Sequence, residues 1–225
     1  MAALKTIAFD MIGTCFSLDR PQERLLALGA PKYALQLWFA QTLRDAFAWS
    51  HAGGYQPLKQ LLEAELPRTL ALVGIDTNAE ARAHIVSAFG ELELVPGALD
   101  VFQRLSKADW NVIALTNGSL GSTQKLLERS SARQYFTDVH SCDELEITKP
   151  HPQVYQLLPQ TAGSVWMVAA HAWDIAGAIR AGLKTAFITT GEGEYLSTYP
   201  QPDILAPDLM GAVDQIIAKE KAISQ

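Results

Sequence analysis

Only two cysteines, Cys15 and Cys142, occur in the 225 residues. Two cannot build a disulfide framework, and their separation matches no zinc-ligand spacing, so the expected setting is a reducing cytoplasm. Positive charge is the minority sign: 18 Lys and Arg stand against 24 Asp and Glu, for a net charge of −6. Nucleic acid and anionic membrane both call for a basic face, so neither is an expected partner. Long apolar runs are missing too. The first run is interrupted by Lys5 and Asp10, which argues against a signal peptide or a membrane span at that place. Internal repeats and low-complexity tracts are also lacking.

What remains, 48% hydrophobic and 19% charged residues, is the make-up of an ordinary soluble globular protein, long enough for a core domain with an insertion. Short apolar stretches at 5–9, 111–115, 139–141, 165–169 and 185–188 read as buried strands. Helical patterns at 98–106, 120–129, from 152, 174–181 and 209–219 alternate with the later ones. Strand alternating with helix predicts an α/β fold, a doubly wound and mostly parallel sheet. Between the first strand and the rest lies a different texture. Leu35, Trp38, Phe39, Thr42, Leu43, Ala46 and Phe47 recur at helical spacing within 32–49. A second helical region follows at 57–73, with Pro67 expected to break or restart it, and a third at 79–92 after Asp76-Thr77-Asn78. Asp19-Arg20-Pro21 reads as a turn and linker. The expected division is therefore an α/β core of 1–16 and 94–225 carrying an all-helical insertion of 17–93.

Four pieces with chemical content fall at strand ends or helix starts, in order: Asp10-Met11-Ile12-Gly13-Thr14, Thr116-Asn117-Gly118-Ser119, Thr148-Lys149-Pro150 and Ala172-Trp173-Asp174. Each has a plainer reading by itself. A strand-end Asp is commonly a cap, Asn117-Gly118 a turn, Lys149 a surface lysine, Trp173 a core residue and Tyr155 a helix residue packed on a sheet. Together they converge, because ligands of an open parallel sheet sit outside the carboxyl ends of its strands. An oriented, ionised carboxylate is a competent nucleophile, and an adjacent ammonium keeps it ionised.

In this order and spacing the motifs resemble the haloacid dehalogenase superfamily, in particular its type II 2-haloacid dehalogenase branch. That branch begins D-x-Y-G-T and continues with S-N-G-S, K-P-x-x-x-V-Y and S-S-N-A-W-D. The resemblance implies a Rossmann-like core with an inserted helical cap, a small-molecule substrate, no cofactor, and a homodimer as a common assembly. It implies that Asp10 attacks the halogen-bearing carbon and forms an ester, with Thr14, Lys149 and Asp174 completing the catalytic set. Substrate-binding roles fall by the same likeness to Thr116, Asn117, Tyr155, His171 and Trp173, with Asn117 and Trp173 cradling the halide. No metal site is expected.

The sequence also departs from that pattern. The tyrosine two residues after the nucleophile is Ile12, which equally removes the second aspartate that superfamily phosphatases use as general acid and base. Ala170 stands where those phosphatases carry an acidic metal ligand, so a magnesium site would have few oxygens beyond Asp10 and Asp174. The cap's Trp-Arg pair aligns with Trp38-Phe39, and Arg44 lies five residues on, rotated by roughly 140° from Phe39. A serine and an asparagine become Ala169 and His171, and the imidazole could serve as a donor or as a base. The alternatives to a dehalogenase are a magnesium-dependent phosphatase and a binding protein without turnover.

Overall fold

The computed structural model describes residues 5–159 and 163–223. Six strands, β1 (Thr6–Phe9), β2 (Asn111–Thr116), β3 (Asp138–Ser141), β4 (Val165–Ala169), β5 (Lys184–Ile188) and β6 (Ile204–Ala206), form one sheet in the order β3-β2-β1-β4-β5-β6. Every pairing is parallel. A parallel sheet needs cover on both faces, which is why its strands are apolar almost throughout. Ile7 and Phe9 point into one layer with α5 (Ala98–Lys107), α6 (Leu120–Arg129) and α9 (Leu209–Ile223), where Phe102, Leu126 and Val213 are buried. Ala8 points the other way, toward α7 (Pro152–Tyr155) and α8 (Ala172–Arg180), among Val154, Tyr155, Ile175 and Ala178.

The segment after β1 forms four helices, α1 (Asp19–Ala27), α2 (Ala34–His51), α3 (Leu58–Leu72) and α4 (Ala79–Ser87), with a cluster of their own around Trp38, Leu62, Leu66, Leu70 and Ile85. Trp38 Nε1 donates to the Leu62 carbonyl at 3.0 Å, tying α2 to α3. Thr42, the polar member of the α2 stripe, is satisfied by bonding back to the Trp38 carbonyl at 2.9 Å. The chain leaves and re-enters the sheet through two adjacent passages. Phe16 bridges Leu94 antiparallel, Ser17 N–H donates to the Glu93 carbonyl at 2.8 Å, and Val95 N–H to the Cys15 carbonyl at 2.9 Å.

Three local expectations change. Asp19-Arg20-Pro21 is the first turn of α1, not a linker, because a proline in a first turn gives up only an N–H that has no intrahelical acceptor. Helix α3 runs unbroken through Pro67, whose exposed position lets water take the carbonyl bond that proline cannot fill. The helical region expected at 79–92 is α4, which ends at Ser87 and tightens into a 3₁₀ turn, Ala88–Gly90. Strand β6 adds a short edge that the strand pattern did not announce.

Candidate active site

Strand β1 lies between β2 and β4, the point where successive strands depart in opposite directions, and Asp10 stands at its carboxyl end. The chain then turns through Gly13 at φ +81°, where an added Cβ would come within 2.9 Å of His171 Nε2. Glycine is thus required twice, by the backbone and by the imidazole beside it. Thr14 Oγ1 donates to Asp10 Oδ2 at 2.6 Å and accepts from Ala170 N–H at 2.9 Å, so the hydroxyl pins β1's carboxylate to the end of β4.

Lys149 arrives from the loop before α7 and is fully buried. Its ammonium has three acceptors: Asp10 Oδ1 at 2.8 Å, Asp174 Oδ2 at 2.6 Å and the Leu115 carbonyl at 2.9 Å. All three protons are used, which fixes a side chain that is otherwise long and mobile. Asp174, in the first turn of α8, takes a further bond from the Tyr155 hydroxyl at 2.7 Å. Asn117 holds the lysine's backbone, its Oδ1 accepting from Lys149 N–H and from the Cys142 thiol, both at 2.9 Å. The Asn117 amide nitrogen is buried and has no partner among the described residues, an orphan donor on a residue that lines the pocket.

That pocket, with a cavity volume of about 10 Å³ and partly open to solvent, is walled by Asp10, Ile12, Asn117, His171 and Trp173 from the sheet side and by Phe39, Leu43 and Leu58 from α2 and α3. It is a tight space, of the size that holds about one water molecule. Trp173 stacks on His171 at 5.2 Å and meets Phe47 at 5.0 Å, closing one side. Arg44 is elsewhere, exposed and paired with Asp45 at 2.7 Å. The helical layer therefore brings no cation to the pocket.

Burial would raise the Asp10 carboxyl, but the charges of Lys149 and His171 outweigh it and hold the group below the usual carboxylate range. Burial, reinforced by the charge of Asp10, pushes Asp174 above that range. Lys149 is drawn down by burial and carried further up by the two carboxylates, so it remains an ammonium. Burial beside Asp174 raises Tyr155 and keeps it a phenol, able to donate. The site thus holds one well-ionised carboxylate facing a pocket, with a second one behind the lysine.

Magnesium does not fit this donor set. The place between Asp10 and Asp174 is filled by an ammonium, and Ile12 and Ala170 offer no side-chain oxygen. Among the described residues no group of three His, Cys, Asp or Glu side chains is disposed to hold a metal ion.

Residues 4–182 match the family model described as haloacid dehalogenase-like hydrolase. The chain belongs to the haloacid dehalogenase-like hydrolases. Among curated members, it is 28% identical over 192 residues to (S)-2-haloacid dehalogenase 4A of Burkholderia cepacia, covering 83% of each chain. It is 26% identical over 220 residues to (S)-2-haloacid dehalogenase of Pseudomonas sp. strain YL, covering 95% of each. The solved L-2-haloacid dehalogenase from Xanthobacter autotrophicus superposes with a TM-score of 0.84 at 21% identity, over 96% of this chain and 98% of that one, a likeness of fold.

Within this haloacid dehalogenase-like fold, Asp10, Thr14, Lys149, Asp174, Asn117, His171 and Trp173 meet at the sheet's carboxyl edge. Two other residues are placed differently from the substrate contacts the resemblance implies. Tyr155 lies behind Asp174, 1% exposed, and acts on it. Thr116 is fully buried with its Oγ1 accepting from Gly118 N–H at 3.0 Å, shaping the turn that leads into α6. Sequence reasoning missed Glu192, whose Oε1 lies 3.3 Å from His171 Nδ1 and whose Oε2 accepts from Ala172 N–H at 2.9 Å. The signal was faint: a Gly-Glu-Gly turn, Gly191 to Gly193, soon after a strand whose end faces the site.

Proposed function

We propose that this hydrolase cleaves the carbon–halogen bond of a small (S)-2-haloacid, without cofactor or metal. The observation that carries the reading is Asp10. Lys149 and Thr14 hold it from two sides, its charge is maintained, and it opens onto a small apolar pocket. An Asp10 oxygen attacks C2, the carbon–halogen bond breaks with its electron pair leaving as halide, and C2 inverts. Water then adds to the Asp10 carbonyl carbon of the resulting ester. The acyl–oxygen bond breaks, releasing the 2-hydroxyacid, and Asp10 is restored as a carboxylate with one proton passed to solvent.

Halide needs no proton to depart, which agrees with Ile12 standing where an acid would otherwise be needed. In this reading Asn117, through its unpartnered amide, and the edge of Trp173 receive the halide. The backbone at Thr116 to Ser119 takes the substrate carboxylate, and Asp174 holds Lys149 and orients water. Residues 17–93 act as a cap, which Phe39, Leu43 and Leu58 support by walling the pocket, over a core of 1–16 and 94–225. A cytoplasmic protein suits two buried free thiols, and a homodimer is the assembly to test by sedimentation.

The test is halide release from both enantiomers of 2-chloro- and 2-bromopropionate with EDTA present. Release from the S substrate that falls roughly 10⁴-fold or more in Asp10→Asn supports the reading. No release by the wild-type chain, or release that survives in the variant, overturns it.

A further inference from the structure

The pocket has a feature that neither the nucleophile nor the lysine explains. His171 occupies the N-cap position of α8, yet its side chain makes no capping bond. Its ring nitrogens face acceptors instead: Nε2 lies 3.1 Å from the Ile12 carbonyl and Nδ1 3.3 Å from Glu192 Oε1. The carbonyl and the Glu192 carboxylate in its ionised form can only accept. A neutral imidazole would leave one nitrogen lone pair against an oxygen, whereas the imidazolium donates to both. Asp10 Oδ2, 3.8 Å from Nε2, adds a second negatively charged neighbour.

Other neighbours oppose the charge. The ring is buried, the N-terminus of α8 carries partial positive charge, and the Lys149 ammonium shares its contact with Asp10. Asp174, in the first turn of α8, has its charge turned to Lys149 and Tyr155. Phe39 from α2, 6.1 Å away, and the stacked Trp173 contribute no charge. Glu192 is thus the acid that tips the balance, and its geometry is fixed at both oxygens, one on the ring and one on the Ala172 amide.

We propose that Glu192 is a positioning residue that holds His171 as an imidazolium, and that this imidazolium is the cation facing the pocket's anion. The positive charge that Phe39 does not supply from above comes from the turn between β4 and α8, where a carboxylate from the loop after β5 holds it. Burial pulls the His171 pKa down, but Glu192 and Asp10 carry it above the ordinary histidine value. The charge is present at low pH and is lost as pH rises through that elevated value. The anion is the carboxylate or departing halide of a 2-haloacid, so the catalytic consequence rests on the dehalogenase reading. The charge state of the dyad does not.

The experiment therefore has two arms on the full chain. In the first, His171 is titrated by heteronuclear NMR with and without sodium bromide, in wild type, Glu192→Gln and Glu192→Asp. Expected is a midpoint above that of a free histidine in wild type, lower by about one unit in Glu192→Gln and partly restored in Glu192→Asp. Bromide should shift the His171 resonances at pH 6 and not above the midpoint. Equal midpoints in wild type and Glu192→Gln, or bromide shifts that ignore pH, overturn the proposal.

In the second arm, kcat/KM for halide release is followed against pH. Its alkaline limb should move down by the same interval in Glu192→Gln, the deficit growing about tenfold per unit between the two midpoints. A deficit of equal size at every pH would mean that Glu192 is merely structural, and would overturn the proposal. If the wild-type chain releases no halide, the dehalogenase reading fails, and the first arm still decides the dyad.

Discussion

Two lysine clusters lie at opposite ends of the same sheet, and each sets an ammonium against a carboxylate and a tryptophan ring. At the carboxyl end Lys149 sits 5.9 Å from the centre of the Trp173 ring and bonds Asp10 and Asp174. At the amino end Lys184 sits 5.4 Å from the Trp166 ring and bonds Glu220 and Ser164, both at 2.8 Å. The first lysine is sealed from water and serves two carboxylates. The second has a side chain 35% exposed and pairs with one. One positive charge between two buried negative ones leaves a residual negative charge that the fold must keep, and Asp10 carries it into a pocket. The Lys184 pair sets one charge against one and ties α9 to the sheet. Residue types alone do not separate the two clusters; their place along the strands and their charge count do.

The largest break in this comparison is Lys149→Met. It leaves Asp10 and Asp174 buried face to face without the ammonium between them, at a cost of about 3–5 kcal/mol in urea unfolding, and halide release should vanish. Adding Asp174→Asn to that variant removes the repulsion. Unfolding should then return part of the way while activity stays absent. A double variant no more stable than the single one would mean that repulsion is not the cause of the loss.

Tyr155→Phe is a milder disturbance on the same side. It removes the hydroxyl from Asp174 Oδ1 without opening a cavity, and leaves a buried carboxylate oxygen one donor short. We expect a loss of about 1–3 kcal/mol in stability. Asp174, already raised by burial, rises further and holds Lys149 less firmly. The change in kcat should be about tenfold, the equivalent of one unit on that carboxyl. A KM effect with kcat unchanged would instead place Tyr155 in contact with substrate.

The sheet and the floor of the site were legible because their constraints are local. A buried parallel strand must be apolar on both faces, so 111–115 and 165–169 could be read directly, and the residues that follow such strands are forced to one edge. The helical insertion was legible from the stripe on α2, but its details were not. Pro67 marks a break by propensity, and only exposure on the finished layer shows that α3 can run through it. Strand β6 has three residues, too few for a period. Glu192 meets His171 across twenty-one positions through a loop, and nothing in either neighbourhood encodes that meeting. Tyr155 was expected among the substrate contacts, and its hydroxyl bonds Asp174. Its side, behind Asp174 and not toward the pocket, is decided by the packing of α7 on α8, where Gly177 leaves room for the hydroxyl.

Glu220→Gln is the smallest test and the one that sharpens the comparison most. Glu220 Oε1 accepts from Lys184 and, at 3.0 Å, from Trp166 Nε1. The amide oxygen can still accept from both donors but loses its charge toward the lysine. Because Lys184 is partly in water, solvent takes over much of what the carboxylate provided, and the loss should be only about 1 kcal/mol. In a chain of this size that is a fall of about 3 °C in Tm. Halide release should stay within about twofold of wild type, since the pair lies at the opposite end of the sheet from Asp10. If activity fell in step with the Lys149 variants, the two ends of the sheet would be coupled, and the separation of a chemical edge from a structural one would have to be abandoned.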